Sequence, residues 1–336
     1  MNLINNDVFR VIFESRENYR LMGEDQQILN AEMSGYFRQH SALWPAVGDW
    51  VKGSRHAGVD GEWLLIEELL PRSTEIKRLG VSKQGATQTL AANVDILFIV
   101  TSANLDLNFN RLDRYILLAQ AAGVMPVVLI NKIELSEDPR NILDQLAERY
   151  KQIDVHALSA AEKINLEVFD LYLKPNTTIA FVGSSGVGKS SLTNYLLDSQ
   201  QMQTSEIRES DGRGRHTTTH RELQLTQNKV AIIDTPGLRS VGLTDDVGFE
   251  SLFADIEYFI QQCKFGDCRH ENEPKCAIIQ ALQVGQLEEQ RWQSYNKMQR
   301  EVQYQQRKTD KALQSNEKKK WAQISKNLRQ HYKNSR

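Results

Sequence analysis

Eight consecutive residues, Gly183-Ser184-Ser185-Gly186-Val187-Gly188-Lys189-Ser190, restrict what this chain can become more than any other stretch of it. They satisfy G-x-x-x-x-G-K-[ST] at every fixed position, a pattern that carries meaning only where a strand ends and a helix begins. Both flanks comply: Thr177 to Val182 is an apolar, β-prone run, and Ser191-Leu192-Thr193-Asn194-Tyr195-Leu196 continues at helical spacing. The glycines let the backbone curl so that successive N–H groups face a β-phosphate, which the positive end of the helix also attracts. Lys189 is placed to neutralise the β- and γ-phosphates and the Ser190 hydroxyl to bind Mg²⁺, so Gly183 through Ser191 form the phosphate-contacting set. A Gly/Ser-rich surface turn is the competing reading, and the correct flanks weigh against it.

A phosphate loop of this kind is built into a parallel sheet covered by helices, and the surrounding sequence supplies one. From about residue 90 to 250, apolar runs alternate with helical segments: Ile96 to Val100, Arg111 to Ala122, Val127 to Ile130, Asn141 to Tyr150 and Val155 to Leu158 precede the loop, and Val230 to Ile233 follows it. Residues 1 to 85 read differently, as short strands broken by turns (Val8 to Glu14, Gln27 to Met33, Asp49 to Lys52, Trp63 to Leu69), which fits a small barrel. Its basic residues Arg38, Lys52, Arg55, Arg72, Lys77 and Arg78, with Tyr36, Trp44 and Trp50, are candidates for a nucleic-acid surface or for ordinary solvated charge around core aromatics. The expected organisation is a multidomain α/β chain: barrel 1–85, nucleotide domain 86–248, helical metal-binding domain 249–301 and basic tail 302–336.

Three more segments belong with the phosphate loop. Asp234-Thr235-Pro236-Gly237 ends the apolar strand that follows it, where the Asp234 carboxylate can hold a Mg²⁺-bound water and the Gly237 N–H can reach a γ-phosphate. Between them lies Gly212-Arg213-Gly214-Arg215-His216-Thr217-Thr218-Thr219, polar and glycine-punctuated, suited to ordering around a γ-phosphate and Mg²⁺. Asn131-Lys132-Ile133-Glu134 resembles the guanine-reading N-K-x-D motif: the amide contacts the purine edge, the Lys132 stem covers the ring, and the acid accepts from N1–H and N2–H, a pair adenine does not offer. The acid here is Glu134, one methylene longer. Ser159-Ala160 follows the next apolar run, as does the loop whose backbone N–H meets the guanine O6. Their order is unusual, because the base-reading residues precede Gly183, where the common GTPase arrangement puts them last. Permutation moves only the chain ends and leaves room for the same site in space.

The three cysteines fall within fourteen residues, which makes metal chemistry a better explanation than a disulfide framework. Cys263-x4-Cys268-x-His270-x5-Cys276 offers three thiolates and an imidazole, a complete tetrahedral set with no position left for a reacting water, so one structural Zn²⁺ is expected. Metal loss is expected to unfold this region locally, the binding free energy standing in for a missing core. A net charge of −2 conceals a basic end: residues 300 to 336 hold eleven Lys/Arg against three Asp/Glu, suited to a polyanion or to a solvated tail. No apolar run reaches the roughly 20 residues of a membrane span, and Met1 to Asn18 lacks the features of a signal peptide, which predicts a cytoplasmic protein.

Taken together, Val47-Gly48-Asp49-Trp50-Val51, Pro71-Arg72, Ala92-Asn93-Val94-Asp95, NKIEL, GSSGVGKSSL, GRGRHTTTH, DTPGL and the cysteine cluster resemble the circularly permuted bacterial GTPases of small ribosomal subunit biogenesis, the ribosome small subunit-dependent GTPase A family. The likeness extends to about residue 301. It implies an N-terminal OB-fold barrel, a permuted GTPase domain and a zinc domain that together dock on the RNA of the small (30S) subunit, with 16S rRNA, GTP and GDP as partners. It also implies Thr218 as the switch ligand of Mg²⁺, with Ser190 and Asp234, and His216 as the residue that positions water, Lys189 completing the catalytic set. The reaction is GTP plus water to GDP plus phosphate; a monomer with no membrane partner is expected. Position 238 is Leu, which can neither donate nor accept, so intrinsic hydrolysis is expected to be slow and to accelerate when a partner orders the 212–219 loop. Two rivals stand beside this reading: an RNA-binding checkpoint in which GTP gates docking without turnover, and a P-loop ATPase or kinase of metabolism.

Overall fold

One early segment alternates strictly. Ile28–Met33 buries every second side chain, the period of a strand with one face on a core. A computed structural model describes residues 8–15, 18–41, 43–58, 61–79, 87–103, 107–197, 221–234 and 249–304. The chain divides into two compact units, Met1–Lys77 with Thr89–Val241, and Arg78–Gln88 with Gly242–Arg336. No helix among the described residues is long and apolar enough to cross a membrane.

The first unit opens with β1 (Val8–Ser15), β2 (Asn18–Met22), β3 (Ile28–Met33), α1 (Gly35–His40), β4 (Trp50–Gly58) and β5 (Gly61–Leu69). The strands run in the order β1-β2-β3-β5-β4, and β4 returns to pair with β1, closing a five-stranded barrel of OB type in which only β3 and β5 are parallel. Closure lets Phe9, Val11, Tyr19, Leu21, Leu64 and Ile66 meet inside. Ser34 starts α1 by accepting from the Phe37 N–H at 3.1 Å, which turns Phe37 into that core. β2 was not foreseen from sequence, because Asn18-Tyr19-Arg20-Leu21-Met22 alternates over too few residues to signal a strand.

After the ribbon of β6 (Glu75–Leu79) and β7 (Thr87–Ala92) come β8 (Ile96–Ser102), α2 (Phe109–Ala121), β9 (Met125–Asn131), α3 (Pro139–Arg149), β10 (Asp154–Ala157), β11 (Thr178–Gly183), α4 (Lys189–Leu197), β12 (Arg221–Leu225) and β13 (Ala231–Asp234). β8 and β11 are buried along their whole length, as strands covered on both faces must be. The order is β10-β9-β8-β11-β13-β12, all parallel except β12, and β12 then pairs with β1, so one sheet of eleven strands passes from the nucleotide fold into the barrel.

The motifs without an assigned task in the sequence meet at this junction. Asp49, fully buried, accepts from Arg72 Nε at 2.8 Å and Nη2 at 2.7 Å and from the Ala46 N–H at 2.7 Å. Burial works against the Arg72 charge, but the Asp49 and Glu75 carboxylates outweigh it and hold the guanidinium above its ordinary pKa. Gly48, at φ +93°, passes so close to Ala92 that an added Cβ would lie 2.1 Å from its carbonyl oxygen. Asn93 binds the Gly48 carbonyl and the Ser73 N–H, and Asp95 accepts from the Thr178 N–H at 2.7 Å. Arg72 is therefore a structural cation and not part of a nucleic-acid surface. Lys52, Arg55 and Lys77 also pair with nearby carboxylates (Glu68, Asp25 and Glu62, Glu75), whereas Tyr36, Trp44 and Trp50 are exposed.

In the second unit α5 (Phe249–Leu252), α6 (Ala254–Gln261), α7 (Ala277–Gln283) and α8 (289–304) surround Phe253, Ile256, Ile278, Ala281, Leu287, Tyr295 and Met298. Arg291 fastens α8 to α6 through two bonds to Asp255. This unit thus has an apolar core of its own, contrary to the expectation that the metal substitutes for one. The sequence hid it because its apolar residues are split between helices on both sides of the cysteine loop.

Candidate nucleotide site and metal centre

β11 delivers the chain to the phosphate loop at Gly183, whose backbone runs so near Val100 that a Cβ would sit 2.2 Å from the Val100 carbonyl oxygen. Gly186 and Gly188 take φ of 78° and 100°, where L side chains are strained. The turn completed, α4 begins at Lys189. Lys189 Nζ donates to the carbonyls of Gly183 at 2.9 Å and Ser184 at 2.5 Å, so the ammonium already lies across the mouth of the loop. Ser185 and Gly186 are exposed, Val187 is buried beneath them, and Ser184, Ser190 and Ser191 are half-buried.

Asn131 closes the arrangement. It ends β9, is 1% exposed, donates from Nδ2 to the Val187 carbonyl at 2.8 Å and accepts at Oδ1 from the Ala160 N–H at 2.9 Å. One side chain thereby ties the phosphate loop to both segments expected to read the base. Gly188 has to be glycine for the same reason, since a Cβ would lie 2.1 Å from Asn131 Nδ2. Lys132 follows at φ 61°, the left-handed turn that swings the chain out of the sheet, and Ile133–Leu135 forms a single 3-10 turn that leaves Glu134 exposed. Ser159 is buried, its backbone bonded both ways to Ile164 and its hydroxyl accepting from the Glu162 N–H. A purine oxygen approaching Ala160 would compete with Asn131 for its N–H.

Asp234 ends β13 directly across from Glu222 on β12. Burial raises its pKa, the Lys189 ammonium opposes this, and the Glu222 charge adds to it. A desolvated carboxylate of this kind, together with the Ser190 hydroxyl, supplies the hard oxygen donors that Mg²⁺ prefers, and a divalent charge would offset the cost of ionising it. Thr235, Gly237, Leu238, His216 and Thr218 lie outside the described residues. The structure adds one residue that the sequence did not single out: Arg111, in the first turn of α2, contacts the Ser184 hydroxyl. Nothing in a lone arginine at helical spacing separates it from a solvated surface charge.

The cysteine cluster assembles as its spacing suggests. One ligand atom from each of Cys263, Cys268, His270 and Cys276 lies within 4.8 Å of all the others. Cys263 Sγ is 3.5 Å from His270 Nδ1 and 3.9 Å from Cys276 Sγ, and His270 Nδ1 is 3.4 Å from Cys276 Sγ. Bond lengths of about 2.3 Å to sulfur and about 2.0–2.1 Å to nitrogen give tetrahedral edges of roughly 3.8 and 3.5 Å, so the donor set fits Zn²⁺. Glu273 shapes the loop by accepting from the backbone N–H groups of Arg269, Glu271 and Asn272, which hold its pKa down at about 2. His270 at φ 59° and Lys275 at φ 62° complete the turns, and Trp292 of α8 meets the His270 ring edge-on at 5.5 Å.

A family model described as RsgA GTPase matches residues 69–244. A model described as ABC transporter matches residues 166–334; it shares the phosphate loop, which many NTPases have, but omits the segment carrying Asn131 and Ser159. The chain is 38% identical over 314 residues to the small ribosomal subunit biogenesis GTPase RsgA of Methanosarcina acetivorans, covering 91% of this chain and 82% of that protein. It is 38% identical over 326 residues to small ribosomal subunit biogenesis GTPase RsgA 1 of Listeria monocytogenes, covering 96% and 92%. Among solved structures it resembles YjeQ from Thermotoga maritima in fold (TM-score 0.63, 24% identity, 88% of this chain and 98% of that one). It also resembles YloQ, a circularly permuted GTPase (TM-score 0.60, 25% identity, 90% and 98%). By family model and by identity sustained along nearly its whole length, the chain belongs to the RsgA GTPase family.

Proposed function

We propose that this chain is a GTPase of small (30S) ribosomal subunit maturation that binds 16S rRNA and hydrolyses GTP to GDP and phosphate in response to the subunit. The observation that carries the reading is Asn131, which bridges Val187 and Ala160 although its segment precedes the phosphate loop in sequence. That bridge supports the reading in which Asn131 to Glu134 and Ser159-Ala160 serve the same ligand as Gly183 to Ser191, as guanine recognition requires. The relatives are named for small ribosomal subunit biogenesis, which supplies the partner.

In this site Lys189 neutralises the β- and γ-phosphates, while Ser190, Asp234 and Thr218 hold Mg²⁺, which supplies charge neutralisation for the phosphoryl group in flight. His216 positions the attacking water once the subunit orders its loop, because Leu238 offers no hydrogen bond. The residues divide by task into an RNA-binding barrel (1–85), the permuted GTPase region (86–248), a zinc-binding helical region (249–301) and a basic tail (302–336), in a cytoplasmic monomer with no membrane partner.

Two measurements test this. GTP and GDP should displace a fluorescent guanine nucleotide where equimolar ATP does not; equal displacement by ATP would refute the guanine assignment. Single-turnover hydrolysis should accelerate on adding 30S subunits, and the His216→Ala variant should lose that acceleration while still binding GTP. Binding without any hydrolysis, with or without subunits, would instead support a GTP-gated checkpoint.

A further inference from the structure

Four side chains stand in one row across four neighbouring strands. Arg20 on β2 is in register with Phe13 on β1, Phe13 with Glu222 on β12, and Glu222 with Asp234 on β13. Residues opposed in this way project from the same face of a sheet, with Cβ atoms about 4.5–5.5 Å apart between neighbours. The Arg20 guanidinium lies over the Phe13 ring, 4.4 Å from its centroid, and Nη2 reaches past it to donate to Glu222 Oε1 at 2.7 Å. Stacking on the ring restricts where the guanidinium can go, so this is a more ordered contact than most half-exposed ion pairs. The adjacent residues repeat the connection, Glu14 opposite Arg221 with their charges 3.5 Å apart.

We propose that Glu222 is a positioning residue of the nucleotide site, adding negative potential where Asp234 receives Mg²⁺, and that Arg20 of the barrel sets how much of that potential acts. This rests on the reading of Asp234 as part of a Mg²⁺-nucleotide site. The carboxylate of Glu222 touches no phosphate; it acts through the field at Asp234, a strand away. Arg20 neutralises part of that field from the barrel side. An anion that engages Arg20 from solvent would release Glu222 and strengthen cation binding, and by reciprocity a bound Mg²⁺-nucleotide would shift the barrel's affinity for that anion by the same factor.

The test measures release of methylanthraniloyl-GDP from the full-length protein against free Mg²⁺. Glu222→Gln removes the added charge and should raise the half-saturating Mg²⁺ concentration about two- to fivefold; Arg20→Met keeps the stem over Phe13, unmasks Glu222 and should lower it by a similar factor. The double variant should follow Glu222→Gln, and all three shifts should shrink at high salt. A role confined to holding the barrel against the sheet would move both single variants in the same direction, and that result, or no shift in either, overturns the proposal. Wild-type release that ignores Mg²⁺ would instead refute the Mg²⁺-nucleotide reading itself, so the two failures are distinguishable.

Discussion

Residues at the nucleotide site trade stability for ligand chemistry, and Gly188 and Asp234 show it from opposite sides. Gly188 pairs a φ of 100° with a neighbour, Asn131 Nδ2, that leaves no volume for a methyl group. Gly188→Ala should cost about 1–3 kcal/mol in backbone strain and also push Asn131 off Val187, so guanine nucleotide affinity should fall at least about tenfold in an equilibrium titration. Asp234 runs the other way. Burial holds its folded-state pKa above the unfolded value, so as pH rises the unfolded chain loses this proton first, and ionisation costs the fold stability from there upward. Asp234→Asn should therefore melt higher than wild type at pH 7 without nucleotide, an advantage that fades below about pH 4, where both states are protonated. The same variant should lose Mg²⁺-dependent GDP retention. A lower melting temperature at pH 7 would show that Asp234 is stabilising in the free protein.

Secondary elements differ in how openly the sequence announced them. β8, β9 and β11 were legible because a strand buried on both faces must be an unbroken apolar run, and α2 because thirteen residues suffice to show helical periodicity. β2 and β12 were not, since each is five residues long and carries charge on a half-exposed face; their identity comes from neighbouring strands. The group of three cysteines and a histidine able to hold a metal was readable from spacing alone, but the core beside it was not, and this changes what metal removal should do. A chelator should release the 263–276 loop and the start of α7 at Cys276 while the contacts of Phe253, Ile256, Tyr295 and Met298 persist. Expected readings are a change in Trp292 emission, since its ring abuts His270, with most far-ultraviolet circular dichroism retained. Cys276→Ser should reproduce both without chelator. Complete loss of helical signal would mean that the apolar core does not stand without its metal.

For the molecule as a whole, the largest feature absent from the sequence was the continuity of the sheet. Turn and strand signals are local and divided the chain at residue 85, whereas pairing of β1 with β12 joins residues more than 200 apart and is decided by the junction. Gly48, Asp49, Arg72, Asn93 and Asp95 were visible as motifs, yet their task became apparent only once the hydrogen bonds between them were located. Such a junction makes barrel and nucleotide fold one cooperative body. Calorimetry should show them melting in a single transition, and saturating GDP, worth about 2.7 kcal/mol at a hundred times its Kd, should raise the barrel's melting along with the rest. Asp49→Ala removes two of the hydrogen bonds to the buried Arg72 guanidinium, leaves Glu75 as its carboxylate partner, and should cost about 1–3 kcal/mol. Because the loss falls at the joint, that variant should also split the transition in two, with GDP protecting only the later one; a single transition would show that strand pairing alone holds the barrel to the sheet.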